Sequence, residues 1–386
     1  MIQQRTITAA QMRGINRSAI LEIIRRESPI ARTTIAQQLG ISLPTVMRIV
    51  DELAKEGFVR PQGGTEWSGG RRRPLLEFNA DGYVVLGVDM GGTKLYGAIS
   101  EIGGRIIDEI NMERDGASGE ECYGLLIKLI DGLLANPGLK GRKVRGIGVG
   151  APGITRHSEG IVKWAYALKW RDFPLKTRLA ERYKMPITVD NDVNLAALGE
   201  LWFGAGQNAQ NMILITIGAG VGAGIIIDGL LYRGSSEASG EIGHMIPGRE
   251  VLGKSFLDFG ALESVASITG IVRQINTGSV TIEEILESAK RGQKQAKSIV
   301  DGAVDYLTMA IANLSVAFDP ELIVLRGGIT QLADMLLDPI SSRIQGIIPS
   351  PPRLVVSDLG LRATVLGAVV TVLHNTSNFY MVHKLS

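Results

Sequence analysis

Val84-Val85-Leu86-Gly87-Val88-Asp89 is an apolar run that ends in a carboxylate, and Met90-Gly91-Gly92-Thr93-Lys94 follows it as a tight turn. Glycines without side chains let backbone N–H groups converge on phosphate oxygens, and Thr93 can add a hydroxyl. Asp89, at a strand end, could hold a water or a magnesium ion. A related unit recurs about 130 residues later: a strand from Met212 to Ile217, the turn Gly218-Ala219-Gly220-Val221-Gly222, and a returning strand from Ala223 to Ile227. Either turn alone reads as an ordinary hairpin. Two of them on equivalent elements point to a duplicated α/β architecture with a cleft between the halves.

Between the two units, Pro186-Ile187-Thr188-Val189 runs as a strand into Asp190-Asn191-Asp192-Val193-Asn194, and a helix follows. Capping a helix that begins near Asn194 needs only one of these polar residues. The surplus suits a polyhydroxylated ligand, whose hydroxyls need both donors and acceptors. A carboxylate there could also take the proton from a hydroxyl nucleophile during phosphoryl transfer. Further on stand Gly240-Glu241-Ile242-Gly243-His244 and Glu263, and near the end a strand from Leu322 to Leu325 runs into Arg326-Gly327-Gly328. A lone histidine such as His244 carries little by itself. The glycine pair lets backbone approach a flat or anionic ligand closely.

The elements before residue 80 are of another kind. Ile20, Ile23 and Ile24 form an apolar stripe at helix spacing before Pro29, a short helix fits Thr33 to Leu39 with Gly40 as its stop, and Ser42-Leu43-Pro44 starts a third. That helix carries Val46, Ile49, Val50 and Leu53 on one face and Thr45, Met47, Arg48 and Asp51 on the other. Helix, glycine turn, second helix is the spacing of a helix-turn-helix. Ser42 and Thr45 can then approach base edges in the major groove, and Arg48 can reach a guanine or a phosphate. Two short strands around a flexible, glycine-rich tip that holds Arg71, Arg72 and Arg73 complete a winged helix, with the arginines placed for backbone or minor-groove contacts.

Charge follows the same division. The chain has 386 residues and a net charge of +2, but residues 1–78 hold twelve Lys/Arg against seven Asp/Glu, a basic head on a slightly acidic body. With 45% hydrophobic and 21% charged residues it can bury sizeable cores. No apolar run approaches the ~18 residues that span a bilayer, and the first ten residues lack a signal-peptide core, so a cytoplasmic protein without membrane contact is expected. One cysteine, Cys122, excludes an internal disulfide and any multi-cysteine zinc site.

These motifs together resemble the ROK family (repressors, open reading frames and sugar kinases), in its repressor branch with an N-terminal winged helix. Asp89 to Lys94 looks like the family's first phosphate motif, Gly150-Ala151-Pro152-Gly153 like its Gly-x-Pro-Gly segment, and Asn191-Asp192 like its sugar-binding and catalytic-base pair. Gly218 to Gly224 is similar to the second phosphate motif and Arg326-Gly327-Gly328 to the nucleotide-side turn. The resemblance implies a winged helix over 1–80, then an actin-like, hexokinase-like α/β ATPase fold over 81–386. Its two lobes would run over 81–192, with the C-terminal end, and over 193–365. It implies a sugar pocket of Asn191, Asp192, Glu241, His244 and Glu263, and an ATP or phosphate site of Asp89, Gly91, Gly92, Thr93, Lys94, Gly218, Gly220, Gly222, Gly327 and Gly328. The expected function is a sugar-responsive regulator, most simply a repressor, that binds double-stranded operator DNA as a homodimer or homotetramer. The alternative is an ATP-dependent sugar kinase of glucokinase or N-acetylhexosamine kinase type with a DNA-binding head, using Mg-ATP and Asp192 as base.

Two departures from the family pattern matter. Where the family's zinc motif has cysteines, this chain has Lys254, Phe256 and Ala261, so no structural zinc is expected and Phe256 and Leu257 are expected to hold the loop by packing. The stretch Trp164-Ala165-Tyr166-Ala167-Leu168-Lys169-Trp170 replaces the usual Asn-Leu segment. An aromatic pair there could stack on a sugar face, which leaves sugars other than glucose open.

Overall fold

The computed structural model describes residues 9–68, 71–275, 280–328 and 333–377. The head consists of α1 (Ala9–Glu27), α2 (Arg32–Leu39), α3 (Leu43–Lys55), β1 (Val59–Ser68) and β2 (Arg71–Phe78). Gly40 stops α2 in the left-handed conformation at φ 62°, where a side chain would be strained. Ser42 starts α3 by accepting the Thr45 amide at 3.4 Å, and the four apolar positions of α3 are fully buried. The wing differs from expectation. β1 runs through Gly63 and Gly64, where the register shifts between Pro61 and Thr65, and Arg71, Arg72 and Arg73 lie on β2 opposite Ser68, Trp67 and Glu66. The arginines thus belong to a paired strand rather than to a tip, while Gly69, Gly70 and the three arginine side chains lie outside the described residues.

The body begins with β3 (Val84–Met90), β4 (Lys94–Glu101), β5 (Ile106–Glu113), α4 (Gly119–Leu134) and β6 (Val144–Ala151). A small antiparallel sheet follows, made of β7 (Ile154–Arg156), β8 (Ile161–Ala165) and β9 (Trp170–Phe173), then α5 (Leu175–Tyr183), β10 (Ile187–Asn191) and α6 (Asp192–Phe203). The second half has β11 (Met212–Ile217), β12 (Val221–Ile227), β13 (Leu230–Tyr232), α7 (Glu263–Ala266), α8 (Ile268–Arg273), α9 (Ile282–Lys290), α10 (Lys294–Phe318), β14 (Leu322–Arg326), α11 (Ala333–Gln345), β15 (Arg353–Val356) and α12 (Arg362–Ser377).

The duplication is visible in the sheets, which run β10-β6-β3-β4-β5 and β13-β12-β11-β14-β15. In each, the first three strands form an antiparallel meander and the last two add in parallel to the first strand. Parallel neighbours need crossovers, and the helices that supply them cover the sheet faces, so β3 and the residues of β4 after Lys94 are buried throughout. The fifth strand of each sheet feeds a helix: β10 leads into α6 and β15 into α12. These two helices cross at glycines. A Cβ on Gly199 would lie 2.0 Å from the Ala363 carbonyl oxygen, and one on Gly367 would lie 1.7 Å from that of Leu195. Only hydrogen fits at such a crossing, because the opposing atoms are backbone.

The same two helices reach the head. Val369, Val372 and Leu373 of α12 share one apolar core with Ile20, Ile24, Ile35, Val46 and Leu53 of the winged helix. At the end of α6, the Trp202 carbonyl accepts from the Arg25 guanidinium at 3.3 Å, and that guanidinium lies 4.6 Å over the Trp202 ring. Among the described residues α10, of 25 residues, is long and apolar enough to cross a membrane by length and composition, with an 18-residue stretch of mean hydropathy 1.3, although Asp301 and Asp305 interrupt its apolar runs. Its Val300, Val304, Leu307, Ile311 and Leu314 pack into the second lobe's core.

Candidate functional site

Asp89 is the penultimate residue of β3, Asn191 ends β10 and Asp192 opens α6, so three polar side chains gather where parallel strands run out. This is where open α/β sheets bind ligands. Asp89 Oδ2 accepts from the Thr364 hydroxyl at 2.8 Å and from Arg326 Nη2 at 3.1 Å. Its Oδ1 is buried with no hydrogen-bond partner among the described residues. Arg326, the last residue of β14, also donates from Nε to the Gly360 carbonyl at 2.9 Å, so one guanidinium ties the second sheet to the first and to the start of α12.

Asn191 is the N-cap of α6, which starts at Asp192 rather than near Asn194. Its Oδ1 accepts from the amides of Val193 and Asn194, both at 2.9 Å, and its Nδ2 donates to the Gly153 carbonyl at 2.9 Å. Both ends of the amide are therefore engaged in holding the Gly150–Gly153 segment to the helix. Asp192 is pushed up to about 8, first by burial among protein atoms and then by the neighbouring Asp89 charge, with Glu241 adding to the rise and Arg326 opposing it. Three charged groups from both halves thus act on one carboxyl.

Glu241 and Glu263 stand at the second turn. Glu263 accepts from the Val221 amide and from the Gly260 amide, both at 3.1 Å, so it pins the 218–222 turn to the 260 loop. Burial raises its pKa against the lowering effect of those amides. Glu241 is pushed up to about 7 by burial first and by the Glu263 charge second. Carboxyl groups held near neutrality both donate and accept, as sugar hydroxyls require. His244 is exposed, yet near enough to Glu263 to act on it electrostatically. The two glycine turns meet: a Cβ on Gly92 would lie 2.8 Å from that of Ala219. Gly222 backs onto Val193 in the first turn of α6, and Gly327, at φ 106°, packs under the Ile217 carbonyl. Lys94 turns to Glu113 at 3.0 Å, and Thr93 is exposed.

Two expectations are corrected by the structure, at Trp170 and at Leu257. Trp170 is 2% exposed, stacked on Phe173 at 4.1 Å with its Nε1 donating to the Gly119 carbonyl, so it offers no face to a sugar. Trp164 is 36% exposed, with the Arg171 guanidinium 5.4 Å from its ring centroid, and Tyr166 is 57% exposed. Leu257 is 79% exposed and Phe256 half-buried, so Leu257 does not hold its loop by packing. Instead His244, Ile246, Leu252, Phe256 and Leu257 rim a surface pocket of about 230 Å³. Lys254 and Ala261 offer no thiolate there, and the residues present do not fit a zinc ion.

Sequence reasoning missed two groups. Arg326 was read only as the residue before a glycine pair, although a cation closing an otherwise apolar strand is a signal. Asp190, 1% exposed, accepts both terminal nitrogens of Arg233 at 2.7 Å and lies 3.4 Å from His157 Nδ1. No spacing rule joins residues 157, 190 and 233. In the head, Ser42 Oγ and Thr45 Oγ1 are hydrogen-bonded at 2.8 Å, and Arg48 is exposed beside them.

Comparison with known proteins agrees with this architecture. Residues 85–375 match the ROK family, and residues 15–60 match a winged helix-turn-helix DNA-binding family. The xylose repressor of Caldicellulosiruptor bescii is 29% identical, across 95% of this chain and 98% of its own. A glucokinase of Halalkalibacterium halodurans is 37% identical across 73% of this chain and 92% of its own. The crystal structure of a ROK family transcriptional regulator, a homolog of the E. coli MLC protein, superimposes with a TM-score of 0.81 at 24% identity, covering 95% of this chain and 98% of that one. With a winged helix built onto two lobes of like topology, the chain belongs to the ROK family.

Proposed function

We propose that this protein is a sugar-responsive transcriptional repressor, in which α3 reads operator DNA and a sugar held between the lobes sets how tightly it does so. The observation that carries this reading is the course of α6 and α12. Each has its first turn at the cleft, with Asp192 or Thr364, and its later turns against the head, with Trp202 or Leu373. A sugar that favours one arrangement of the lobes must therefore act on the head through two rigid elements. A tenfold change in operator affinity needs only about 1.4 kcal/mol of difference between the two arrangements.

In this reading Asp192 and Glu241 exchange hydrogen bonds with sugar hydroxyls, Glu263 and Asn191 hold the walls, and His244 stands at the rim. Ser42, Thr45 and Arg48 face the major groove and the β2 arginines the DNA backbone, in a cytoplasmic two-fold dimer that matches palindromic half-sites. Xylose is the first sugar to try, since a full-length relative is a xylose repressor.

A second reading, sugar phosphorylation with Mg-ATP as cofactor and Asp192 as the base, is favoured by the carboxyl at residue 192 and by the likeness to a glucokinase. The test is a thermal-shift screen of pentoses, hexoses and N-acetyl sugars beside ADP release from Mg-ATP. Stabilisation without turnover supports the repressor. Turnover abolished in Asp192→Asn supports the kinase. Arg48→Ala should weaken operator binding by about 1–3 kcal/mol and leave sugar binding intact.

A further inference from the structure

The residues around Asp89 do not fit a magnesium-bound nucleotide, and the main source of the misfit is Arg326. β14 is apolar from Leu322 to Leu325 and then places a guanidinium, its side chain 7% exposed, against the equally buried Asp89 carboxylate. Arginine keeps its proton throughout the accessible pH range, so this cation is permanent. It uses the same Oδ2 that Thr364 holds, and it is fixed from behind by the Gly360 carbonyl. A magnesium ion needs near-octahedral oxygen ligands at about 2.0–2.1 Å; a guanidinium beside it would repel it and hold Oδ2, leaving of that carboxylate only the buried Oδ1, which has no hydrogen-bond partner among the described residues. A second observation agrees. The two glycine turns that would frame a polyphosphate abut at Gly92 and Ala219, and Lys94 is drawn to Glu113.

We propose that Arg326 is the resident cation of the cleft, standing beside Asp89 where a nucleotide-bound magnesium ion would have to be, so that this chain binds its sugar without phosphorylating it. The proposal deepens the repressor reading and rests on it for the sugar, but the cation site itself is independent of sugar and DNA. It makes the Asp89–Arg326 pair a latch between the two sheets and makes the effector one that leaves unchanged. A sensor that consumed its effector would report flux rather than concentration.

The test uses full-length protein and Mn2+ alone as the probe, with free Mn2+ read by electron paramagnetic resonance. Wild type should take up no more Mn2+ than Asp89→Asn at concentrations up to about 1 mM. Arg326→Ala and the near-isosteric Arg326→Gln, each confirmed folded by a cooperative melt, should bind Mn2+ at least tenfold more tightly than wild type, and adding Asp89→Asn should abolish the gain. Asp89-dependent Mn2+ uptake by wild type, or Asp192-dependent ADP release with any sugar, overturns the proposal. So does the absence of any gain in both folded Arg326 variants. If neither variant folds, the wild-type comparison with Asp89→Asn decides. A failed sugar screen or an unresponsive operator would count against the repressor reading instead and leave the Mn2+ result standing.

Discussion

The two halves of the body share a strand order and differ in what their strand ends carry. In the first, the penultimate residue of the leading strand is Asp89, and its neighbour on the adjacent parallel strand is Gly150. In the second, the equivalent residue is Thr216 and its neighbour is Arg326. One backbone plan therefore supplies a carboxylate from one side and a guanidinium from the other, and they meet. The helices after the fifth strands diverge in the same way. α6 has 12 residues and meets the head with Trp202 at Arg25 and with the half-buried Phe203, whereas α12 has 16 and sets the buried Val369, Val372 and Leu373 inside the head's apolar core. Duplication made the cleft, and unequal helix ends gave the head two different attachments.

That comparison can be broken at several points. The largest effect is expected at the helix crossing. Gly367→Val and Gly199→Val each drive a side chain into backbone carbonyl atoms, so each should cost more than about 3 kcal/mol in urea unfolding. A marginal loss at either position would show that the helices do not cross as closely as described.

Next comes the unequal attachment. Leu373→Ala, at a buried position in the shared core, should cost about 2–4 kcal/mol and weaken operator binding. Trp202→Ala, whose ring is half-buried under Arg25, should cost less. Equal losses would mean that the two helix ends serve the head alike.

The smallest effect concerns pH. Glu241 holds its proton to about pH 7 when folded and releases it near its ordinary 4.5 when unfolded. Between those values the folded state binds more protons, so its contribution to stability is full below about pH 4.5 and is lost as pH rises through about 7. Glu241→Gln should remove this slope, worth on the order of 1–3 kcal/mol. An unchanged pH profile of unfolding would place that carboxyl in open water.

Much of the frame was legible because local rules and tertiary packing agree. Gly40, Ser42 and the Val46–Leu53 stripe mark the helix-turn-helix, and the repeated strand–glycine turn–strand unit marks the duplication. The residues that failed are those whose neighbours lie far along the chain. Trp170 reads as a ligand platform until Phe173 and the Gly119 carbonyl enclose it. Leu257 reads as a packing residue until the fold leaves it exposed. Arg326 and Asp89 are 237 residues apart, and no periodicity links them. Asn191 shows the intermediate case, since its position predicted polarity but not that both ends of its amide would hold the backbone.

The most direct measurement is the operator affinity of the full-length protein, by fluorescence anisotropy at fixed salt, with and without a sugar that stabilises it. A sugar seated between lobes that are wired to the head by α6 and α12 should change the Kd at least tenfold, and Leu373→Ala should shrink that change. The same Kd at saturating sugar, with binding confirmed in the same sample, would contradict the account.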